Sequence, residues 1–171
     1  MLAREAPGFA FTLDGNENYR SLAPFRELWE TLGADPLLAR FLERLLGEET
    51  SVLVLHEQPQ RGRTLIEKFE ETAAAAGFAV VLLTGDDVAR PAGSEQPKLR
   101  ARQNVVFELG FFFGQLGRGR VAALYEEGVE LPSDVQGLAY IRVDPTGGWR
   151  LPLAQELREA RLDVDLNRLA G

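Results

Sequence analysis

Four short, almost uninterrupted apolar runs set the main limit on how this chain can fold. They are Ser51-Val52-Leu53-Val54-Leu55, Phe78 to Thr84, Arg120 to Tyr125 and Leu138 to Val143. Each has the length of a strand, and none alternates apolar with polar, so each reads as a strand buried on both faces. Helical patterns separate them. Thr64 precedes an amphipathic stretch from Leu65 to Ala76, and Glu67, three residues on, completes a capping box. A second stretch runs from about Leu99 to Leu116, and a third, Leu151 to Ala160, has Pro152 in its first turn. Strands alternating with helices predict an α/β fold, a mostly parallel central sheet of about five strands covered by helices on both faces.

The first third is less regular. Phe9 to Leu13 alternates weakly and ends at Asp14-Gly15-Asn16, as a strand running into a turn does. Leu22, Phe25, Leu28, Trp29 and Leu32 have helical spacing and stop at Gly33. Asp35-Pro36 reads as an N-cap with proline at the first helical position, opening a helix that carries Leu37, Leu38, Phe41, Leu42, Leu45 and Leu46 and ends at Gly47. Two long loops are expected. One, of about 15 residues after Thr84, is long enough to cover a site, and the other runs from Glu126 to Gly137.

The bulk numbers narrow the chemistry. At 171 residues, one domain is expected, large enough to bury a core. With no cysteine and one histidine, His56, thiolate chemistry, disulfides and Cys/His metal sites are excluded. His56 closes a strand and reads as a capping or core residue. The net charge of −7 argues against direct nucleic-acid binding. Between Lys98 and Arg120, however, five basic residues (Lys98, Arg100, Arg102, Arg118, Arg120) accompany a single acid, Glu108, a local field suited to a small anion. No apolar run reaches the roughly 20 residues of a membrane span, and Met1 to Glu5 lacks a signal-peptide core, so a cytoplasmic location without membrane contact is the expectation.

Glu108 is the first candidate for chemistry. It is one carboxylate in the apolar run Asn104 to Gly114, beside the carboxyl edge of the sheet where open α/β folds bind ligands. Asn104 stacks on it one turn earlier, while Val105, Leu109, Phe112 and Leu116 form the stripe facing the sheet. The alternative is an acid at the core boundary, paired with Arg102 or a loop arginine. Gly110 and Gly114 each cost roughly 1 kcal/mol against alanine in a helix, which points to close backbone packing there. The loop Gln58 to Thr64, with Arg61, Gly62 and Arg63, precedes a helix N-terminus that can hold phosphate, although turn geometry explains the same residues. Asp86 and Asp87 follow a strand end and suit either a ribose hydroxyl or an ordinary turn. There is no Walker A sequence and no complete G-x-G-x-x-G between a strand and a helix.

The segments HEQPQRGRTLIEKFE (56–70), GFAVVLLTGDD (77–87) and residues 100–141 resemble the prokaryotic TIR-like domains that serve as effectors in cyclic-nucleotide antiphage systems of the CBASS and Pycsar kinds, TIR–STING fusions included. The resemblance runs from about Leu53 to Asp165, about two-thirds of the chain. It implies a flavodoxin-like TIR fold and an NAD⁺ nucleosidase that releases nicotinamide and ADP-ribose, with NAD⁺ as substrate and neither cofactor nor metal. The family's catalytic glutamate falls on Glu108. Its assembly loop falls on Gln58 to Arg63, which implies a homo-oligomer, with a cyclic-nucleotide sensor domain or partner subunit as the trigger. Arg61, Gly62, Arg63, Asp86, Asp87, Arg102 and Asn104 then fall to substrate binding. The family usually opens with a strongly hydrophobic strand directly before its first helix, and nothing of that kind precedes Asp35. Residues 1–35 therefore read as a divergent segment, Phe9 to Leu13 being that strand displaced by an extra helix, and 36–171 as the TIR-like domain. Two other functions fit these residues: a non-catalytic TIR module that signals by homotypic association, and a nucleoside deoxyribosyltransferase-like enzyme, which also places a glutamate at a glycosidic carbon.

Overall fold

The computed structural model describes residues 8–12, 34–46, 50–54, 64–90, 92–93, 95–133, 137–144 and 146–169. Five parallel strands form the main sheet: β1 (Gly8–Thr12), β2 (Ser51–Val54), β3 (Ala76–Leu83), β6 (Val121–Tyr125) and β8 (Ala139–Arg142). Their spatial order is β2-β1-β3-β6-β8. Counted within this sheet alone the order is 2-1-3-4-5, that of flavodoxin-like doubly wound folds. β1 pairs with β2 on one side and β3 on the other, so the weakly patterned segment near the N-terminus lies inside the sheet.

Among the described residues, four helices cover the two faces: α1 (Ala34–Leu45), α2 (Leu65–Ala75), α3 (Gln103–Leu116) and α4 (Arg150–Glu159). β3 shows why its sequence is apolar throughout. Phe78, Val80 and Leu82 join one core with α1 and α4, while Ala79, Val81 and Leu83 join the other with α2 and α3. Side chains alternate between faces along a strand, and both faces are covered, so no position tolerates a polar residue. On the first face Phe41 meets Trp149 edge-on at 5.1 Å between ring centroids. On the second, Phe69 of α2 sits 5.5 Å from Phe111 and 6.0 Å from Phe112.

The capping box forms as expected. The Glu67 N–H donates to Thr64 Oγ1 at 3.2 Å and the Thr64 N–H donates to Glu67 Oε2 at 2.7 Å. Several boundaries differ from expectation. α2 stops at Ala75, and Ala76 and Gly77 already belong to β3. β2 is an edge strand with Ser51 exposed, while Val52 packs partly against one core and Leu53 partly against the other. α3 begins at Gln103 rather than near Leu99, because Lys98–Arg100 forms a strand, β5. β5 pairs antiparallel with β4 (Asp87–Ala89) and parallel with β7 (Val129–Glu130). The two expected long loops are thus tied into a second, three-stranded sheet beyond the carboxyl ends of β3 and β6. Among the described residues, the crossover from β6 to β8 carries β7 and no helix. The helix expected at Leu22 to Leu32, as well as His56, lies outside the described residues.

Candidate functional site

The site begins at the carboxyl edge of the two most buried strands. β3 ends at Leu83, which is buried together with the following Thr84, and β6 ends at Tyr125. The Glu126 N–H donates to the Leu83 carbonyl at 3.1 Å, extending the ladder one residue past the strand. The Glu126 side chain then turns back, and its Oε2 accepts the Gly85 N–H at 3.1 Å. Thr84 Oγ1 donates to Asp86 Oδ2 at 2.6 Å. Residues 84–86 are therefore held by carboxylates from two directions. Gly85 leaves little room for a side chain: a Cβ here would stand 3.3 Å from Leu99 and 3.4 Å from Val129, the paired residues of β5 and β7, which would have to shift by a few tenths of an ångström. The small sheet thus packs directly on the end of β3.

From this small sheet the chain enters α3. Lys98 and Arg100 of β5 both bridge to Glu130 of β7, Lys98 Nζ at 3.0 Å. These hydrogen bonds, that of Arg100 the stronger, hold the exposed Glu130 carboxyl below its ordinary value. Arg102 is the N-cap residue of α3 and makes no side-chain cap. Asn104 is exposed on the first turn, and Glu108 is half-buried about 6 Å further along the axis. Val105, Leu109 and Phe112 are buried against the sheet, as the stripe predicts, with Leu116 packed partly against the same core. Glu108 therefore lies at the margin of this stripe, in the half of the helix nearer the carboxyl edge.

The expected residues thus fall into three groups. Asp86 belongs to the strand-end loop, and Asp87 opens β4 opposite Arg100. Arg102, Asn104 and Glu108 share α3. Arg61, Gly62 and Arg63 lie outside the described residues. The expected positive field between Lys98 and Arg120 does not form as one patch. Lys98 and Arg100 are engaged by Glu130, and Arg118 and Arg120 precede β6, at the opposite edge of the sheet. The close packing expected at Gly110 and Gly114 is also absent. Both are exposed, with nothing within 4 Å of where a Cβ would stand among the described residues.

Glu126 was not among the sequence candidates. An acid immediately after a buried strand, at the ligand-binding edge of an α/β sheet, is the signal that could have found it. Burial pushes its carboxyl above the ordinary value of 4.5, the Gly85 N–H opposes this, and the neighbouring Asp86 adds to it. A raised value in the folded state means that ionisation of Glu126 opposes folding once the pH passes that value. Glu126→Gln keeps an acceptor for Gly85 and removes the charge. The variant is expected to unfold at higher urea than wild type at pH 7, with the gain shrinking as the pH falls toward the ordinary value of 4.5 and gone below it. Equal midpoints at both pH values would show that the carboxylate is fully hydrated.

A doubly wound α/β domain with one helix-borne acid near its ligand edge is an architecture that binds nucleotides in many proteins. The particular family is given by comparison. Residues 31–145 match the family described as CAP12/Pycsar effector protein, TIR domain, and the chain belongs to it. It is 44% identical over 131 residues to the protein YuaY of Escherichia coli K12, covering 77% of this chain and 43% of that protein. It is 47% identical over 79 residues to the Pycsar effector protein BcPycTIR of Burkholderia cepacia, 44% of this chain and 25% of that one. Against CD-NTase-associated protein 12 of Niabella drilacis the identity is 39% over 69 residues, 40% and 22% of the two chains. The matched part spans less than half the length of each of these relatives. Among the described residues no helix is long and apolar enough to cross a membrane.

Proposed function

We propose that this domain cleaves the bond between nicotinamide and ribose in NAD⁺, releasing nicotinamide and ADP-ribose, as a cytoplasmic antiphage effector that becomes active when copies assemble. The observation that carries the proposal is Glu108, a half-buried carboxylate on α3 near the ligand edge of a TIR domain. As the glycosidic bond stretches, positive charge grows on the ribose. A carboxylate beneath the sugar stabilises that charge and holds the diol. The departing nicotinamide is already cationic in the substrate and leaves as a neutral base, so no general acid is needed. One carboxylate therefore suffices, where glycosidases acting on neutral leaving groups use two. Water then adds to the ribose carbon, and its proton is lost to solvent.

Around this step the remaining candidates take graded roles. Asn104, one turn before Glu108, and Asp86 and Asp87 at the strand end hold ribose hydroxyls. Arg102 meets the pyrophosphate, with Arg61, Gly62 and Arg63 completing that contact. Homotypic assembly through Gln58 to Arg63 brings this loop to the pocket of a neighbouring copy. A cyclic-nucleotide sensor, as another part of the polypeptide or as a partner subunit, concentrates the copies. The relatives named as Pycsar effectors and as CD-NTase-associated protein 12 support that setting.

The test is chromatographic. NAD⁺ incubated with the protein over a wide concentration range, with and without a crowding agent, is expected to yield nicotinamide and ADP-ribose in equal amounts, with specific activity rising with protein concentration. Concentration-dependent oligomers that leave NAD⁺ intact would instead identify a signalling module without catalysis. Base exchange between deoxynucleosides would identify a transferase.

A further inference from the structure

The turn after β3 combines tight space with a backbone that has little steric guidance of its own. Leu99 and Val129 crowd the point where a Cβ of Gly85 would stand, so glycine suits the position, and glycine brings more dihedral freedom than any other residue. Thr84 before it is buried, and Asp86 after it is half-buried. A change in the Gly85 dihedrals therefore swings Asp86 relative to the sheet. Asp86 is anchored at one oxygen. Its Oδ2 accepts from Thr84 Oγ1 at 2.6 Å, while Oδ1 accepts nothing among the described residues.

Glu126, 41 residues further along the chain, removes the freedom of Gly85 by three routes. Its N–H donates to the Leu83 carbonyl at 3.1 Å, fixing the strand end. Its carbonyl accepts the Val129 N–H at 3.3 Å, closing a turn in which Gly128 has φ +86°. A positive φ at the third residue is what a type II turn requires, and this turn brings Val129 to Gly85. The third route is the side chain, whose Oε2 accepts the Gly85 N–H at 3.1 Å. The two backbone contacts survive any change of side chain at position 126. The carboxylate contact does not, and it alone holds Gly85 itself.

We propose that Glu126 is a positioning residue for the cleavage reaction: through Gly85 it sets the direction of Asp86, whose open oxygen takes a ribose hydroxyl. This rests on the NAD⁺ cleavage and the role of Asp86 proposed above, and adds the residue on which that role depends. Glu126 touches no substrate. The bond from the hydroxyl to Asp86 is present in the bound substrate and in the transition state alike, so misplacing Asp86 weakens both equally. KM rises and kcat is almost unchanged.

Steady-state kinetics of nicotinamide release test this, with urea midpoints giving the folded fraction of each variant. Glu126→Ala is expected to raise KM for NAD⁺ roughly ten- to a hundredfold, the change carried by one hydrogen bond to a charged group. Asp86→Ala should raise it as much. Adding Glu126→Ala to Asp86→Ala should raise it no further, because both act through one contact. Glu126→Gln keeps an acceptor for Gly85 and is expected to restore the wild-type KM. Glu126→Asp keeps the charge but loses one methylene of reach, so its KM should rise toward that of the alanine variant, and it decides the question if Glu126→Ala does not fold. A merely structural acid gives a different pattern, in which kcat falls with the folded fraction and KM stays put. That pattern would overturn the inference and leave the cleavage standing. So would additive effects in the double variant, or a KM in Glu126→Gln as high as in Glu126→Ala. A wild-type protein that leaves NAD⁺ intact under every condition would reject the cleavage and this inference together.

Discussion

Replacing Glu108 with glutamine is expected to lower kcat for nicotinamide release by a factor on the order of 10²–10³ and to leave KM almost unchanged. The magnitude follows from removing one charge aimed at a developing charge of opposite sign, worth about 3–4 kcal/mol in a site closed to water. The split between the two constants follows from when that charge appears. The ribose is neutral in the bound substrate, so the amide oxygen of glutamine still accepts from the ribose diol, and ground-state binding survives. The oxocarbenium character develops only at the barrier, and only there is the negative charge missed. Steady-state kinetics of the two proteins at matched concentration provide the measurement, with urea midpoints recorded alongside. Glu108 is half-buried, so an isosteric change should move the midpoint little. Equal turnover in the two proteins would remove Glu108 from the chemistry and leave the fold assignment standing. A loss matched by unfolding would instead identify it as a structural acid.

The layered architecture was legible because its signals are local and repeated. β3 is apolar at every position from Phe78 to Leu83, and only a strand covered on both faces requires that. The box between Thr64 and Glu67 depends on three intervening residues and nothing further away. The errors arose where pairing is long-range. Leu99 has a helical neighbourhood in sequence, but Val88 and Val129 recruit it into a strand, and neither is adjacent along the chain. The same small sheet engages Lys98 and Arg100 with Glu130 and breaks up the expected cationic patch. Gly110 and Gly114 signalled close contact, but no contact within the described chain accounts for them. For the site, Glu108 stood out because a lone acid in an apolar run is locally anomalous. Glu126 did not, because its meaning depends on Gly85, which lies 41 residues away.

Phe112→Ala is expected to destabilise the domain by about 3–5 kcal/mol, the range for deleting a buried phenylalanine ring. Phe112 is fully buried, and its ring touches those of Phe69 and Phe111 between α3 and the sheet. Little else can collapse into that space, because the core it belongs to, with Val81, Leu83, Ala123 and Leu109, is already buried and close-packed. Against a typical total of about 5–15 kcal/mol, the loss is a large fraction of the stability. Phe107→Ala, only five residues earlier but half exposed, should cost less than about 1 kcal/mol. The contrast tests more than packing. Residues four apart lie about 40° from one another around a helix, so the ring of Phe112 anchors the turn that follows Glu108. If Phe112 seats α3 on the sheet, it also sets the rotation that holds Glu108 at the margin of the core. Urea unfolding of the two alanine variants measures the difference. Similar costs at the two positions would mean that α3 is not fixed by this stripe, and the placement of Glu108 at the ligand edge would fail with it.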